Sequence, residues 1–288
     1  MSRSHVRLVS ILALTAMGSM GLVGAGRVDA AVVVVTPSSM GDWAFDHRDS
    51  GGAVDSNSNG VGAMVNGPAT PPLGTGSANL ATGNGAANGD GAQELRSTAY
   101  NGVLLRDITS LSYSTYATAN NGQQFPYLVL EIDPCISTCG GADGNYRMFF
   151  EPPYQTPGTG NASLPDQGAT ALNVWQTWNA FTGGWWSNNG DGGNPGTGVL
   201  GLSDFLSLYP NAELANTSGG LGAVQFRVGF ASDTDVFNGY VDNFTIGVNQ
   251  INTTYDFELS TPGAVPEPAT LVLVALGLAG LGFSRRRQ

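Results

Sequence analysis

The 288-residue chain contains no lysine, and its positive side chains are 11 arginines. Between Ala31 and Ala264, five arginines stand against 20 acidic residues, which gives this part of the chain a net charge of −15. A surface this acidic repels phosphate backbones, so the sequence predicts no binding to nucleic acid. Beyond residue 30, His47 is the only histidine. This scarcity disfavours a Cys/His zinc site and a Ser-His-Asp triad, and we expect no metal centre of that kind.

Cysteine is equally scarce, because Cys135 and Cys139 are the only two in the chain. They follow a predicted strand that ends at Asp133. In an oxidising compartment the pair predicts a disulfide that closes a hairpin loop. A metal site would need further ligands, and a thioredoxin-type redox pair has two intervening residues where this chain has three.

The amino terminus has the pattern of a secretory signal peptide. Arg3 and Arg7 precede an apolar run from Leu8 to Val23, and the small residues around Ala30 and Ala31 offer a cleavage site. We therefore predict a signal helix over residues 1–30 that is removed after Ala30. An uncleaved anchor is the alternative, and the glycines in and after the run disfavour it because they weaken a long helix.

The carboxyl terminus combines a proline-flanked acid, an apolar run and a basic cluster. Its residues are Pro266, Glu267 and Pro268, then the run from Ala269 to Phe283, then Arg285, Arg286 and Arg287. Fifteen apolar residues at 1.5 Å rise span roughly 22 Å, which predicts a short transmembrane helix in a hydrocarbon core of ~30 Å. The prolines keep Glu267 on an extended segment, and the arginines favour the cytoplasmic side.

This order of features resembles the PEP-CTERM sorting signal of Gram-negative bacteria. The resemblance implies that an exosortase recognises Pro266, Glu267 and Pro268 while the helix holds the precursor in the inner membrane and the arginines stop its transfer. It also implies an exported protein of the cell envelope, the cell surface or the extracellular polysaccharide matrix of a biofilm. The alternative is an ordinary tail-anchor helix behind a proline-rich linker.

The part between these two termini, residues 31–263, is predicted to be one all-β domain. Its many glycines lie with Asn, Asp, Ser and Thr in turn-like clusters, and apolar residues alternate in short runs. The clearest run is Val224 to Phe230, which predicts one apolar face and one water-facing face. We expect an antiparallel two-sheet sandwich of the jelly-roll type. Further strands are predicted at 42–45, 108–116, 127–133, 146–151, 173–180, 239–248 and 255–257.

Other segments of the body lack strand periodicity. Gly60 to Asp90 and Gly183 to Gly198 are predicted to be long, weakly ordered loops. Leu202, Phe205, Leu206 and Tyr209 have helical spacing, and Ser203 is a candidate N-cap for one short helix.

The end of the body, from Tyr240 to Glu258, resembles the closing strands of concanavalin-like domains. Some glycosidases of that fold carry a Glu-x-Asp-x-x-Glu strand, and Glu131-Ile132-Asp133 matches its first half. The second glutamate is missing, because Ile136 and Ser137 stand where it would be. We therefore predict no enzyme and no catalytic residue, with a glycoside hydrolase as the alternative.

Aromatic residues crowd between positions 175 and 186, and they indicate carbohydrate binding because aromatic faces stack on sugar rings. Of Trp175 and Trp178, at least one should lie in the core. Trp185 and Trp186 stand in a glycine-flanked segment and are the candidate sugar-binding residues. Core packing or loop anchoring is the alternative for both.

Calcium is the one cofactor for which the sequence offers candidate ligands. Residues 55–60 resemble the start of an EF-hand loop, but Asn66 replaces the glutamate at its twelfth position. Asp233, Asp235 and Asp242 form a second acidic group. Solvated turn residues are the alternative for both groups.

Overall fold

The computed structural model describes residues 31–49, 52–54, 60–83, 90–140, 146–193, 198–216, 222–230 and 235–260. The predicted signal helix and the predicted carboxyl-terminal helix lie outside these residues. Within the described ranges, no helix has the length and apolar character needed to cross a membrane.

The described chain is built almost entirely of strands, as the sequence predicts. The strands are β1 (Ala31–Val35), β2 (Trp43–Asp49), β3 (Val61–Asn66), β4 (Gly76–Ala81), β5 (Asp90–Ser97), β6 (Ile108–Ala119), β7 (Tyr127–Asp133), β8 (Tyr146–Phe150), β9 (Gln176–Asn179), β10 (Gly184–Ser187), β11 (Leu200–Gly201), β12 (Glu213–Leu214), β13 (Val224–Gly229), β14 (Asn238–Val248) and β15 (Ile251–Phe257). One α-helix, α1 (Leu202–Leu208), lies between β11 and β12, and short 3-10 turns cover Leu105–Asp107 and Pro152–Tyr154.

The strands form two sheets. In the first sheet β14 pairs with β6 along its length and with β4 and β15 in its two halves, while β9, β3 and β1 extend the sheet outward. The second sheet has the order β11-β10-β8-β7-β13-β5-β2, and β12 pairs with β7. The paired strands are antiparallel except β1, which runs parallel to β15. The all-β, two-sheet prediction is confirmed, and the jelly-roll connectivity stays a prediction.

Aromatic rings from both sheets fill the space between them. Trp43 of β2 stacks on Phe226 of β13 with ring centroids 6.1 Å apart, and it meets Phe244 and Phe257 of the first sheet edge-on at 5.9 and 5.2 Å. Each of these side chains is at most 4% exposed. Burying a side chain of this size is worth about 1.5–3 kcal/mol, so this group helps to hold the two sheets together.

The prediction of a structureless loop from Gly60 to Asp90 is wrong. This segment contains β3 and β4, which pair with each other, and β4 continues the first sheet beside β14. The strands are built from small residues, and Met64, Ala78 and Leu80 are the members that reach the core. Period-2 analysis missed them because alanine and glycine give almost no hydrophobic signal.

The second predicted loop, from Gly183 to Gly198, is also partly a strand. Gly184 to Ser187 form β10, which pairs with β8 and β11 in the second sheet. The predicted strand over residues 173–180 is shorter than expected, because β9 begins only at Gln176.

The helix prediction is confirmed, but its predicted N-cap is wrong. Helix α1 begins at Leu202, and Gly201 occupies the N-cap position in place of Ser203. Asp204 accepts a hydrogen bond from the Gly201 N–H at 2.9 Å. This carboxylate in the first turn stabilises the helix start, and the helix buries Leu202 and Phe205.

Candidate functional site

The face of the second sheet that points away from the core carries a buried polar layer. Glu94 of β5 lies at its centre and is fully buried, with Arg48 of β2 and Arg227 of β13 on either side. Arg48 Nε donates to Glu94 Oε1 at 2.8 Å, and Arg227 Nε forms an ion pair with Glu94 Oε2 at 2.6 Å. Two cations around one carboxylate satisfy charges that would be costly to bury alone.

The prediction that one face of β13 meets water is therefore wrong. Gln225 and Arg227 alternate with core residues as expected, but they are 0% and 2% exposed. Arg227 donates to the Gln225 side-chain oxygen, and Gln225 Nε2 donates to Glu131 Oε2 at 3.1 Å. The guanidinium carbon of Arg227 lies over the ring of Phe230, 5.6 Å from the ring centroid. The polar residues of β13 alternate with core residues as predicted. Neighbouring side chains on the same face bond to them and shield them from water.

A cavity of about 340 Å³ opens beside this polar layer. The side chains that line it include Tyr127, Arg147, Phe149, Glu151, Trp186 and Arg227. A second hollow of about 220 Å³ shares Gln124, Glu151, Trp186 and Phe230 with the first. Glu151 and Trp186 therefore lie where the two hollows meet.

Aromatic rings form one side of the cavity. Trp186 of β10 stacks on Phe149 of β8, with centroids 4.2 Å apart and ring planes 15° apart. Tyr127 of β7 lies next to Phe149, with centroids 6.4 Å apart. The three rings come from neighbouring strands of one sheet, so their relative positions are fixed by the strand pairing.

Strand β8 brings charge to the same face. Met148 and Phe150 are buried in the core. Because side chains alternate along a strand, Arg147, Phe149 and Glu151 point to the opposite face, where all three line the cavity. Sequence analysis missed this group, although Tyr146 to Glu151 was predicted as a strand. The signal was a large aromatic residue flanked by two charges on the face away from the core.

Burial shifts the pKa values of two charged residues in the cavity. It raises the pKa of Glu151 from 4.5 to about 7, against a smaller lowering by the hydrogen bond with Tyr154. Burial also lowers the pKa of Arg147, while the nearby charge of Glu131 raises it. A carboxyl group that titrates near neutral pH in a cavity can donate or accept a hydrogen bond according to the pH.

Trp185 and Trp186, which were predicted to bind sugar as residues of a loop, face opposite sides of the second sheet. Both lie in β10, and Trp185 is fully buried in the core, where its Nε1 donates to Ala180 O at 2.8 Å. The prediction of Trp185 as a ligand-binding residue is therefore wrong, because it faces the apolar side of the sheet. Its neighbour Trp186 faces the cavity and is half-buried.

Of the earlier aromatic pair, Trp178 belongs to the core, as expected for at least one of them. It is fully buried and its Nε1 donates to Thr115 Oγ1 at 2.8 Å. Trp175 is half-buried, and its Nε1 donates to Pro68 O at 2.9 Å.

The half-matched glycosidase motif does not lie in the cavity. Glu131 and Asp133 are both 0% exposed. Glu131 is opposite Arg147 in the register of β7 and β8, and Asp133 Oδ1 accepts the Cys135 N–H at 2.9 Å. Among the described residues that line the two hollows, the carboxyl group is that of Glu151.

Cys135 and Cys139 form a disulfide with Cα atoms 4.5 Å apart, in the loop between β7 and β8. Their sulfur atoms and a Glu213 oxygen lie within 4.8 Å of one another, a spacing that fits a metal ion. Because both sulfurs are bonded to each other, neither is available as a thiolate ligand.

Among the described residues, the predicted calcium ligands do not form one cluster. Asp235 accepts from Asn121 at 3.1 Å, while Asp242 is buried and accepts from the backbone N–H groups of Leu73 and Phe257. Residues 55–59 and Asp233 lie outside the described residues.

The predicted sorting and cleavage residues also lie outside the described residues, except Ala31, which is the first residue of β1. The residues outside are Ala30, Pro266, Glu267, Pro268, Arg285, Arg286 and Arg287.

Comparison with known proteins identifies the carboxyl terminus. The chain matches no curated protein. Residues 264–287 match the family described as the PEP-CTERM protein-sorting motif. This motif marks exported proteins that an exosortase processes at the membrane of Gram-negative bacteria. The chain therefore carries a PEP-CTERM sorting motif at its carboxyl end, behind a β-rich sandwich.

Proposed function

We propose that this exported protein binds carbohydrate through the cavity beside Trp186, without catalysing a reaction, and that it acts at the cell surface or in the extracellular polysaccharide matrix. The sorting motif at 264–287 supports the location. The observation that carries the binding proposal is the stacked pair of Trp186 and Phe149 at the junction of two hollows that also contain Arg147 and Glu151.

The chemistry of this cavity matches that of a sugar. The apolar C–H face of a pyranose ring packs on an aromatic ring, and its hydroxyl groups need donors and acceptors at the ring edge. Trp186 supplies the aromatic ring, which Phe149 holds in place. Arg147 and Glu151 supply polar groups beside it. A cavity of about 340 Å³ that joins a second hollow can take more than one sugar unit.

The test compares Trp186→Ala with Trp175→Ala in the mature protein on a glycan array, followed by calorimetry with the glycans that bind. Trp175 is also half-buried but lies outside both hollows. We expect Trp186→Ala to weaken binding roughly fivefold or more, because a ring stacked on a flat ligand is worth roughly 1–3 kcal/mol, and Trp175→Ala to leave binding unchanged.

Thermal unfolding of both variants separates a binding defect from a folding defect. Trp186→Phe provides a second test, since it keeps a ring on Phe149 and should retain part of the affinity. Binding that survives Trp186→Ala in a folded protein, or a mature protein that binds no glycan, would refute the proposal.

A glycoside hydrolase is the second candidate, and Glu151 is the observation that favours it. A buried carboxyl group with a pKa of about 7 has the property of a general acid. Hydrolysis of this type needs a second carboxylate roughly 5–10 Å away. If the protein is a glycoside hydrolase, it should release sugar from a glycan, and Glu151→Gln should abolish that release. Release that continues in Glu151→Gln would exclude this residue as the acid.

A further inference from the structure

Arg147 lines the cavity and has no ion pair among the described residues, whereas Arg48 and Arg227 both pair with Glu94. Trp186 lies beside it, and the Arg147 Nε and Trp186 Nε1 atoms themselves are covered by protein. Both residues line the cavity, and they come from the paired strands β8 and β10. Because pairing with an anion compensates the cost of partly burying a guanidinium, the half-buried and unpaired Arg147 favours an anionic ligand group in the cavity.

The neighbouring acids are already committed to other partners. Glu94 is held by Arg48 and Arg227, and Glu131 accepts from Gln225. The titratable and charged side chains that face or surround the cavity are Arg48, Glu94, Tyr127, Glu131, Arg147, Glu151, Tyr154 and Arg227. Burial holds the pKa values of Tyr127 and Tyr154 above their usual value, so both phenols stay neutral.

Glu151 is the acid of the cavity whose charge depends on pH near neutrality. Because burial raises its pKa to about 7, it is mostly protonated at pH 6 and mostly ionised at pH 8. At pH 6 the cavity therefore offers the guanidinium of Arg147 and the neutral carboxyl group of Glu151 as donors. Among the described residues that line it, no carboxylate is then mostly ionised.

We infer that the cavity binds an acidic saccharide, with a sugar carboxylate paired with the guanidinium of Arg147. This inference rests on the proposed carbohydrate binding and names its ligand class. A carboxylate is the group that matches the site, because hydrogen bonds between ionised partners are about twice as strong as neutral ones. The net charge of −15 on the body repels acidic polymers at long range, but physiological salt screens it beyond ~8 Å.

The test measures affinity for pairs of ligands that differ only in the charge of one group. Oligosaccharides of galacturonate, glucuronate, mannuronate and guluronate are each compared with their methyl esters by calorimetry at pH 6 with the mature protein. We expect at least one acid to bind roughly tenfold or more tighter than its ester, which corresponds to one charge-assisted hydrogen bond.

Arg147→Gln is the variant that addresses the contact, and Arg106→Gln is its control. Arg106 is exposed and bonds to Pro210 O and Asn211 away from the cavity. Arg147→Gln should remove the preference for the acid by lowering the affinity for the acid much more than that for the ester, whereas Arg106→Gln should change neither affinity. Wild-type affinity for the acid should fall up to roughly tenfold between pH 6 and pH 8, and Glu151→Gln should abolish that fall.

The outcomes distinguish this inference from the proposed function. Equal affinity for acid and ester, or a preference that survives Arg147→Gln, overturns the acidic-saccharide inference and leaves carbohydrate binding standing. Failure to bind any of the acids, their esters or the neutral glycans of the array overturns both.

Discussion

Asp256 shows how a single buried carboxyl group ties stability to pH. It is 6% exposed, and its Oδ1 has no hydrogen-bond donor among the described residues. Its neighbour Glu258 accepts from the backbone N–H groups of Thr75 and Gly76 at 2.6 and 3.0 Å, and Asp242 accepts from Leu73 at 2.9 Å. Glu258 and Asp242 therefore hold the turn before β4, whereas Asp256 lies beside Glu258 without such a contact to the turn.

Burial, with the nearby charge of Glu258, raises the pKa of Asp256 from 3.8 to about 6. Because the folded protein favours the protonated form, the stability that this group contributes is complete below pH 3.8. It is lost as the pH rises through 6. Asp256→Asn does not titrate, and its amide can donate to Glu258. We predict that the variant is more stable than the wild type at pH 8 and about equally stable at pH 4.

The full shift corresponds to ~3 kcal/mol, and partial access to water lowers the expected gain at pH 8 to about 1 kcal/mol. Urea unfolding of both proteins at pH 4 and pH 8 measures it. Asp42→Asn is the control, since Asp42 is exposed. A variant that is less stable than the wild type at pH 8 would show that the Asp256 carboxylate is stabilising.

Strands with large apolar residues could be predicted, and strands with small ones could not. β7 and β13 were found because Leu, Val and Phe occupy their core positions, and burial of those residues dominates strand pairing. β3 and β4 are rich in glycine, alanine and polar residues, and β10 has only four residues, in which two adjacent tryptophans give no alternation. Trp185 and Trp186 show the same limit, because only the register of β10 decides which of them faces the core.

The loop between β7 and β8 is a separable element that the disulfide stabilises. Cys135 and Cys139 are four positions apart, and closing so short a loop is worth about 2 kcal/mol. We predict that the double variant Cys135→Ser, Cys139→Ser loses this amount of stability and keeps its affinity for glycans. The affinity should persist because Tyr127 and Asp133 lie at opposite ends of β7, roughly 20 Å apart.

Denaturant unfolding and calorimetry measure the two properties in the same variant. Alkylation followed by mass spectrometry supplies the control, since the folded wild type should take up iodoacetamide only after reduction. Modification of the untreated wild type would show that the thiols are free.

At the scale of the whole molecule, the folded body and the sorting segment occupy separate parts of the chain. β1 begins at Ala31, directly after the predicted cleavage site, and β15 ends at Phe257, before the motif at 264–287 begins. β1 pairs with β15, so the first and last strands of the body lie side by side in one sheet. Removal of both termini leaves every strand of the two sheets in place.

We therefore predict that deleting residues 264–288 changes the destination of the protein and not its fold. In the native host, the deleted form should pass into the medium, because it lacks the segment that an exosortase processes, while its melting temperature stays within about 2 °C of the mature form. Glu267→Ala is the matched point variant, and it should block processing while leaving the apolar run that holds the precursor at the membrane. Cell fractionation and intact mass measure both outcomes. Wild-type distribution of the deleted form would show that the motif does not sort this protein.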